Sequence, residues 1–441
     1  MRRILPAVAC VIVLACRGDR APSADSAAAQ AAAPGEYLFV WAADSAGASS
    51  DFLAVIDARP TSATYGAVVT SIPTGEAGTH PHHTEAEMPA SGHLLANGFG
   101  AGKTWLFDLS SPRAPKIMTS FGALAGYRHP HSFVRLANGN VLTTFQYGGS
   151  DTPGEANTHA MHGTPADAAA PDAAAKAAAF VPPVSGGLVE MDERGTVIRS
   201  GSAQDTTIRD RLIYPYNVVP IPGLDRAVST TTDMNPANVK ATAEWVQFWR
   251  LSDLSLQRSI ALPPGPRGNE HRFTGDPHLL ADGKSVYIHT FNCGLYLVRG
   301  VDGNQPTAKL VKTFTGTDCG VPVRSGKFWL QPVPAAHALV VLDITDPERP
   351  REVSSLALGD DEYPHWAAID PTGRRVVLNS GGNPKSNRLY VIDFDPATGA
   401  VAFDEKFRDA GATRAGVSFN GKSWPHGFAG TAMPHGTVFS R

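Results

Sequence analysis

Three histidines fall within four positions in the stretch Thr79-His80-Pro81-His82-His83-Thr84. Two more lie at Arg128-His129-Pro130-His131-Ser132, and single ones follow a proline at Pro277-His278, Pro364-His365 and Pro434-His435. Tyr216 stands in the same place after Pro215. Imidazole binds zinc, copper, iron and nickel. A set of three or four imidazoles without carboxylate or thiolate partners favours copper or zinc over calcium or magnesium. Two plainer readings stand beside this one. A histidine-lined pore can simply hold water and satisfy backbone groups, and a Pro-His turn can recur because a repeat was duplicated. Metal chemistry requires residues as distant as 82 and 435 to meet.

The elements that must bring them together are short strands. An alternating apolar strand ending near Asp, followed by a turn, recurs seven times: "FLAVIDARP" at 52–60, "TWLFDLSSP" at 104–112, "GLVEMDERG" at 187–195, "VQFWRLSDL" at 246–254, "GLYLVRGVDG" at 294–303, "LVVLDITDP" at 339–347 and "LYVIDFDPA" at 389–397. Period-two alternation bounded by turn residues marks antiparallel hairpins. Several copies are preceded by another strand pair, as at 133–145, 277–291 and 366–380. Repeats of this length predict an all-β, seven-bladed propeller with four-stranded blades. The C-terminal "AMPHGTVFSR" reads as an innermost strand, and 36–57 as outer strands of the same blade. Joining them closes the ring and removes open sheet edges.

In a propeller the first strand of each blade lines the central channel. The Pro-aromatic step sits at the start of that strand in six of the seven copies, while "DCGVPVRSG" has Cys319 instead. The imidazoles are thereby expected around one axis. His278 is out of register: it lies five residues before its turn Gly283, whereas His131 and His365 lie eight before theirs. His426 also follows a proline and rivals His435. His80, His93, His271, His289 and His337 read as ordinary surface or core residues. Glu85 and Glu87 read as solvated loop carboxylates, with a proton shuttle as the alternative. No GxGxxG after a strand, Walker loop, HExxH or GxSxG is present.

The N-terminus reads as a targeting segment. Arg2 and Arg3 precede an apolar run from Ile4 to Leu14, and Val13-Leu14-Ala15-Cys16 is similar to a bacterial lipobox. That resemblance implies cleavage before Cys16, a lipid on its thiol, and a place in the cell envelope, anchored on the periplasmic side or the cell surface. Residues 16–35 read as a flexible tether, 36–441 as the propeller, and the Ala- and Pro-rich 151–185 as a mobile insertion in the third blade. His159 and His162 fall in that insertion. Net charge is −3, so no strong field favours nucleic acid. An exported compartment permits a Cys293–Cys319 disulfide, which sequence alone leaves open.

The sequence resembles the selenium-binding protein family, which includes bacterial methanethiol oxidase. "FDLSSPRAPKI" at 107–117, "HHT" at 82–84, "HSFVRLANGNVLTT" at 131–144 and "GTAMPHG" at 430–436 carry the likeness, in the family's order. The resemblance implies a seven-bladed propeller and a copper site held by His82, His83, His131 and His435, with zinc the lesser alternative. It implies oxidation of a small thiol by O2. Tyr216 and His365 are further candidates, from the repeat register, to orient substrate or relay protons; His365 stands where the family usually has another residue, which makes it an added ligand or a group just outside the ligand set. Two departures stand out. No Cys follows His-His-Thr, so selenium binding through that residue is not expected, and Gly436 replaces the Glu after the C-terminal His. A non-catalytic surface propeller that binds metal or a ligand is the alternative, with a zinc hydrolase on the same ring as a third reading.

Overall fold

A computed structural model describes residues 34–149, 184–208, 211–234, 243–380 and 386–441. The proposed signal, Cys16 and most of the 151–185 insertion lie outside these residues. Gly35, assigned to the tether, already donates its N–H to Ser440 O at 2.8 Å. Val184 and Ser185, assigned to the insertion, open the strand Val184–Met191.

The described chain forms seven antiparallel sheets in a ring, each with four main strands. We number the blades from the one holding both chain ends. Blade 1 is built from the strands Ala432–Phe439, Tyr37–Asp44, Ser50–Asp57 and Val68–Ala77, in that order outward from the channel. Blades 2 to 7 span 81–121, 127–202, 215–261, 274–313, 323–357 and 364–403. Leu38 pairs with Phe439, Phe39 with Val438 and Val40 with Thr437. The ring is therefore closed by hydrogen bonds between the chain's two ends, as the sequence predicts.

All seven copies of the recurring motif fall on the third strand of their blades. These strands are buried on both faces because neighbouring blades cover them, as in "YVI" at 390–392, whereas the outermost strands alternate, as in Arg351–Ala357. Large aromatics fill the wedges between blades. Trp41 of blade 1 lies 5.6 Å from Trp105 and 5.7 Å from Phe107 of blade 2, ring centre to ring centre. Its indole N–H donates to Asn97 O at 2.7 Å, so the buried polar atom is satisfied.

The recurring Asp is a turn cap. Asp108 Oδ1 accepts from Ser110 N and Oγ, Asp343 Oδ1 from Thr345 N, Asp253 Oδ1 from Ser255 N and Oγ, and Asp395 Oδ2 from Thr398 Oγ1. The short polar side chain organises the turn by bonding residues just ahead of it. These hydroxyl bonds hold all four carboxyls below their ordinary range, Asp253 at about 2. A carboxyl whose folded pKa lies below its unfolded value of about 3.9 adds stability above that pH and loses it on acidification. The thermal midpoint should therefore fall between about pH 4 and pH 2, and Asp343→Asn should flatten that fall. A midpoint unchanged down to pH 2 would rule out this role for the caps.

Candidate metal centre

The innermost strands are interrupted where the Pro-aromatic steps occur. Pairing shifts register between Pro81 and Thr84, Pro130 and Phe133, Pro215 and Val218, Thr274 and Pro277, and Pro364 and Trp366. The C-terminal strand shifts between Pro434 and Thr437. A bulge re-aims side chains, and proline suits it because no ladder N–H is lost there. In blades 2 and 3, His80 and His129 enter the bulge in the left-handed region, at φ of 57° and 56°. Non-glycine residues held there cost on the order of 1–3 kcal/mol and tend to mark functional sites.

The bulges bring the predicted residues to one point. His82 Nε2 lies 2.9 Å from His131 Nε2, and His365 Nε2 lies 3.0 Å from His435 Nε2. Ring centres are 4.3 Å apart for His82 and His83, 4.3 Å for His83 and His131, and 4.4 Å for His82 and His435. One ligating nitrogen from each of His82, His83 and His131 falls within 4.8 Å of the others. Tyr216 Oη sits 3.1 Å from His83 Nε2. The geometry is thus a buried imidazole triad with a second pair, His365 and His435, against it.

The surroundings orient the rings. His131 Nδ1 donates to Tyr216 O at 2.7 Å, which leaves the lone pair on Nε2, facing His82. Ser132 Oγ and Thr144 Oγ1 donate to the same carbonyl at 2.9 and 2.8 Å. Asn97 Oδ1 accepts from His83 N at 2.6 Å, while its Nδ2 donates to Pro130 O at 2.8 Å. Asn379 does the same work on the far side, accepting from Trp366 N and donating to His435 O. Such outer partners fix tautomer and direction in metal sites.

The donor set fits a transition metal. Burial, and then the neighbouring imidazoles of His83, His435, His131 and His365, hold His82 well below its ordinary pKa, so its ring is neutral at pH 7. Two nitrogens bound to one ion at about 2.0–2.1 Å, at 90–110° to each other, stand about 2.9–3.4 Å apart. The His82–His131 separation matches this. Among the described residues the group that converges is imidazole only. Cys319 cannot serve as a thiolate because it is bonded to Cys293.

Other sequence assignments resolve differently. His426 is away from the cluster, 2.7 Å from Ser71 Oγ and packed near Phe52. Glu85 is not a solvated carboxylate: it is 3% exposed, accepts from Arg135 Nε at 2.7 Å and from Leu95 N at 2.9 Å. Gly436 leaves no room for a glutamate, since a Cβ there would stand 2.5 Å from Thr84 N and 2.9 Å from His82 O. Blade 5 also lacks the Pro-aromatic step in register. Its bulge holds Gly275 and Asp276, and His278 lies beyond it. A ring on residue 275 is impossible because His289 fills that space, 2.1 Å from where a Cβ would be. Asp276 and Trp366, whose ring centre is 5.0 Å from His83, line the channel without having been singled out by their sequence pattern.

No family model matches the chain. Over 106 residues it is 34% identical to the methanethiol oxidase of Hyphomicrobium sp, covering 23% of this chain and 24% of that protein. The matched stretch thus spans about a quarter of the curated relative's length. A hypothetical selenium-binding protein of Sulfolobus tokodaii shares the fold, with a TM-score of 0.67, 16% identity, and coverage of 93% of this chain and 94% of that one. The periplasmic gluconolactonase of Pseudomonas aeruginosa shares it at a TM-score of 0.56 and 16% identity, covering 92% and 99%. The chain is therefore a seven-bladed propeller that resembles methanethiol oxidase over part of its sequence and a selenium-binding protein in its fold.

Proposed function

We propose that the protein is a copper-dependent thiol oxidase of the methanethiol oxidase type. The observation that carries this reading is the convergence of His82, His83 and His131, from two blades, on one buried point, with the His435 ring of a third blade packed 4.4 Å from that of His82. The partial likeness to methanethiol oxidase supports the substrate class. In the overall reaction one primary thiol, one dioxygen and one water give one aldehyde, one hydrogen sulfide and one hydrogen peroxide. The carbon–sulfur bond breaks, the carbon that bore sulfur is oxidised to a carbonyl with oxygen from water, and dioxygen takes up the two electrons.

These four histidines would hold the ion. Bound copper supplies a redox couple and lowers the pKa of a coordinated thiol. The chain's own groups do the rest. His131 presents its Nε2 lone pair because Tyr216 O holds the Nδ1 proton. Burial, and then Asp276, push the Tyr216 phenol well above its ordinary pKa, so it keeps its proton and donates toward His83 Nε2. Freeing that nitrogen costs one neutral hydrogen bond, about 1 kcal/mol. Tyr216 can then donate to a bound substrate instead. His365, 3.0 Å from His435, is the second group placed to take or give a proton.

The test is O2 uptake by copper-loaded protein given methanethiol, with formaldehyde, sulfide and peroxide in equal amounts. Tight copper binding without thiol-dependent O2 uptake would favour the non-catalytic scaffold. Tyr216→Phe is expected to load copper normally yet turn over about 100-fold more slowly, the scale of a lost proton-transfer group. Unchanged turnover in that variant would remove Tyr216 from the reaction.

We also propose that Cys16 carries a lipid that anchors the propeller in the cell envelope. The buried Cys293–Cys319 disulfide supports an exported compartment. Incorporation of labelled fatty acid, lost in Cys16→Ala, tests this; equal labelling in the variant would refute it.

A further inference from the structure

The channel holds a second polar group to which the proposed chemistry assigns no contact with substrate. In blades 2, 3 and 4 the bulge carries His82-His83, His131-Ser132 and Tyr216-Asn217. In blade 5 it carries Gly275-Asp276. Asp276 thus takes the register place of His83, Ser132 and Asn217, on the wall of the same channel. A cavity of about 330 Å³ is lined by His83, Ser132, Asn217, Asp276, His278 and Trp366. That volume lies at the lower end of small-molecule sites, about 300–1,000 Å³, and leaves room for several heavy atoms beyond methanethiol.

Asp276 is only 6% exposed. Asn217 Nδ2 donates to its Oδ1, while Oδ2 has no hydrogen-bond partner among the described residues. No Lys or Arg pairs with it there; Arg324, on the same cavity, gives its Nη1 to Gly326 O at 2.9 Å. His278 Nε2, further along the wall, is likewise unpartnered among the described residues. A buried carboxyl with an open oxygen is costly unless something meets it, and charge is best met by charge. Burial pushes this carboxyl up to about 7, and a cation bound beside it would draw it back toward the ordinary carboxylate range.

We propose that Asp276, held by Asn217, is a subsite for a protonated amine, so that the substrate is an aminothiol whose sulfur reaches the histidines while its ammonium meets Asp276. The substrate assignment rests on the thiol oxidase reading; the amine subsite does not. An ammonium group supplies both the missing charge and the missing N–H donors, which a hydroxyl or methyl group cannot.

Two measurements test it. The first is the ratio of kcat/KM for 2-aminoethanethiol to that for ethanethiol. It should exceed one in the native protein and fall about tenfold or more in Asp276→Asn, which keeps the shape and removes the charge. An equal ratio in both proteins overturns the proposal. The second is binding of propylammonium and of 1-propanol, followed by ligand-observed NMR on the native protein and on Asp276→Asn. Propylammonium should bind the native protein alone, and 1-propanol neither. Amine binding without any thiol oxidation would keep the subsite and remove the oxidase reading. Failure of the native protein to prefer the amine overturns the subsite, whatever happens to thiols.

Discussion

His82→Ala is expected to reduce copper from about one ion per chain to background and to abolish thiol oxidation, because outer-sphere changes alone cost about 10–100-fold in metal affinity and a lost ligand costs more. His82 is the hub of the cluster. Its Nε2 faces His131 at 2.9 Å, and its ring packs against both His83 and His435. Its removal leaves the triad with two members. His365→Ala is the contrasting variant: it touches His435 but lies outside the triad, so metal should remain while turnover falls. Metal content by elemental analysis, with unfolding midpoints to show that the fold survives, decides between the two. Full copper loading in His82→Ala would sink the ligand assignment.

Loss of the disulfide is the second large effect. Cys293 and Cys319 are 26 residues apart in sequence and both buried, and they join the blade 5 turn to the segment entering blade 6. Closing a loop of that length restricts the unfolded chain by about 3.5 kcal/mol at 25 °C. The double variant Cys293→Ser/Cys319→Ser should unfold at clearly lower denaturant, and reduction of the native protein should reproduce the shift. An unchanged midpoint under both treatments would show that blade packing alone holds this corner.

Much of the fold was legible because one strand type repeats. The third strand of every blade is a short apolar run followed within a few residues by an Asp, and both features are local. The histidine positions were legible for a related reason: proline accompanies the bulge in most innermost strands, so Pro-His marks the channel. Asp276 escaped because blade 5 has Thr274, not proline, at that register position. The signal was present in the turn. Counting eight back from Gly283 reaches Gly275, as eight back from Gly139 reaches His131. Glu85 escaped because its partner Arg135 lies 50 residues on, in the next blade. The disulfide needed a distance, and the Cα atoms stand 5.2 Å apart.

Electron paramagnetic resonance of the protein loaded with one equivalent of Cu(II) tests most directly whether imidazoles from separate blades hold one metal ion. A single tightly bound species is expected, its hyperfine pattern showing at least three imidazole nitrogens and altered in His82→Ala. A weakly bound, oxygen-ligated signal that is the same in both proteins would contradict it.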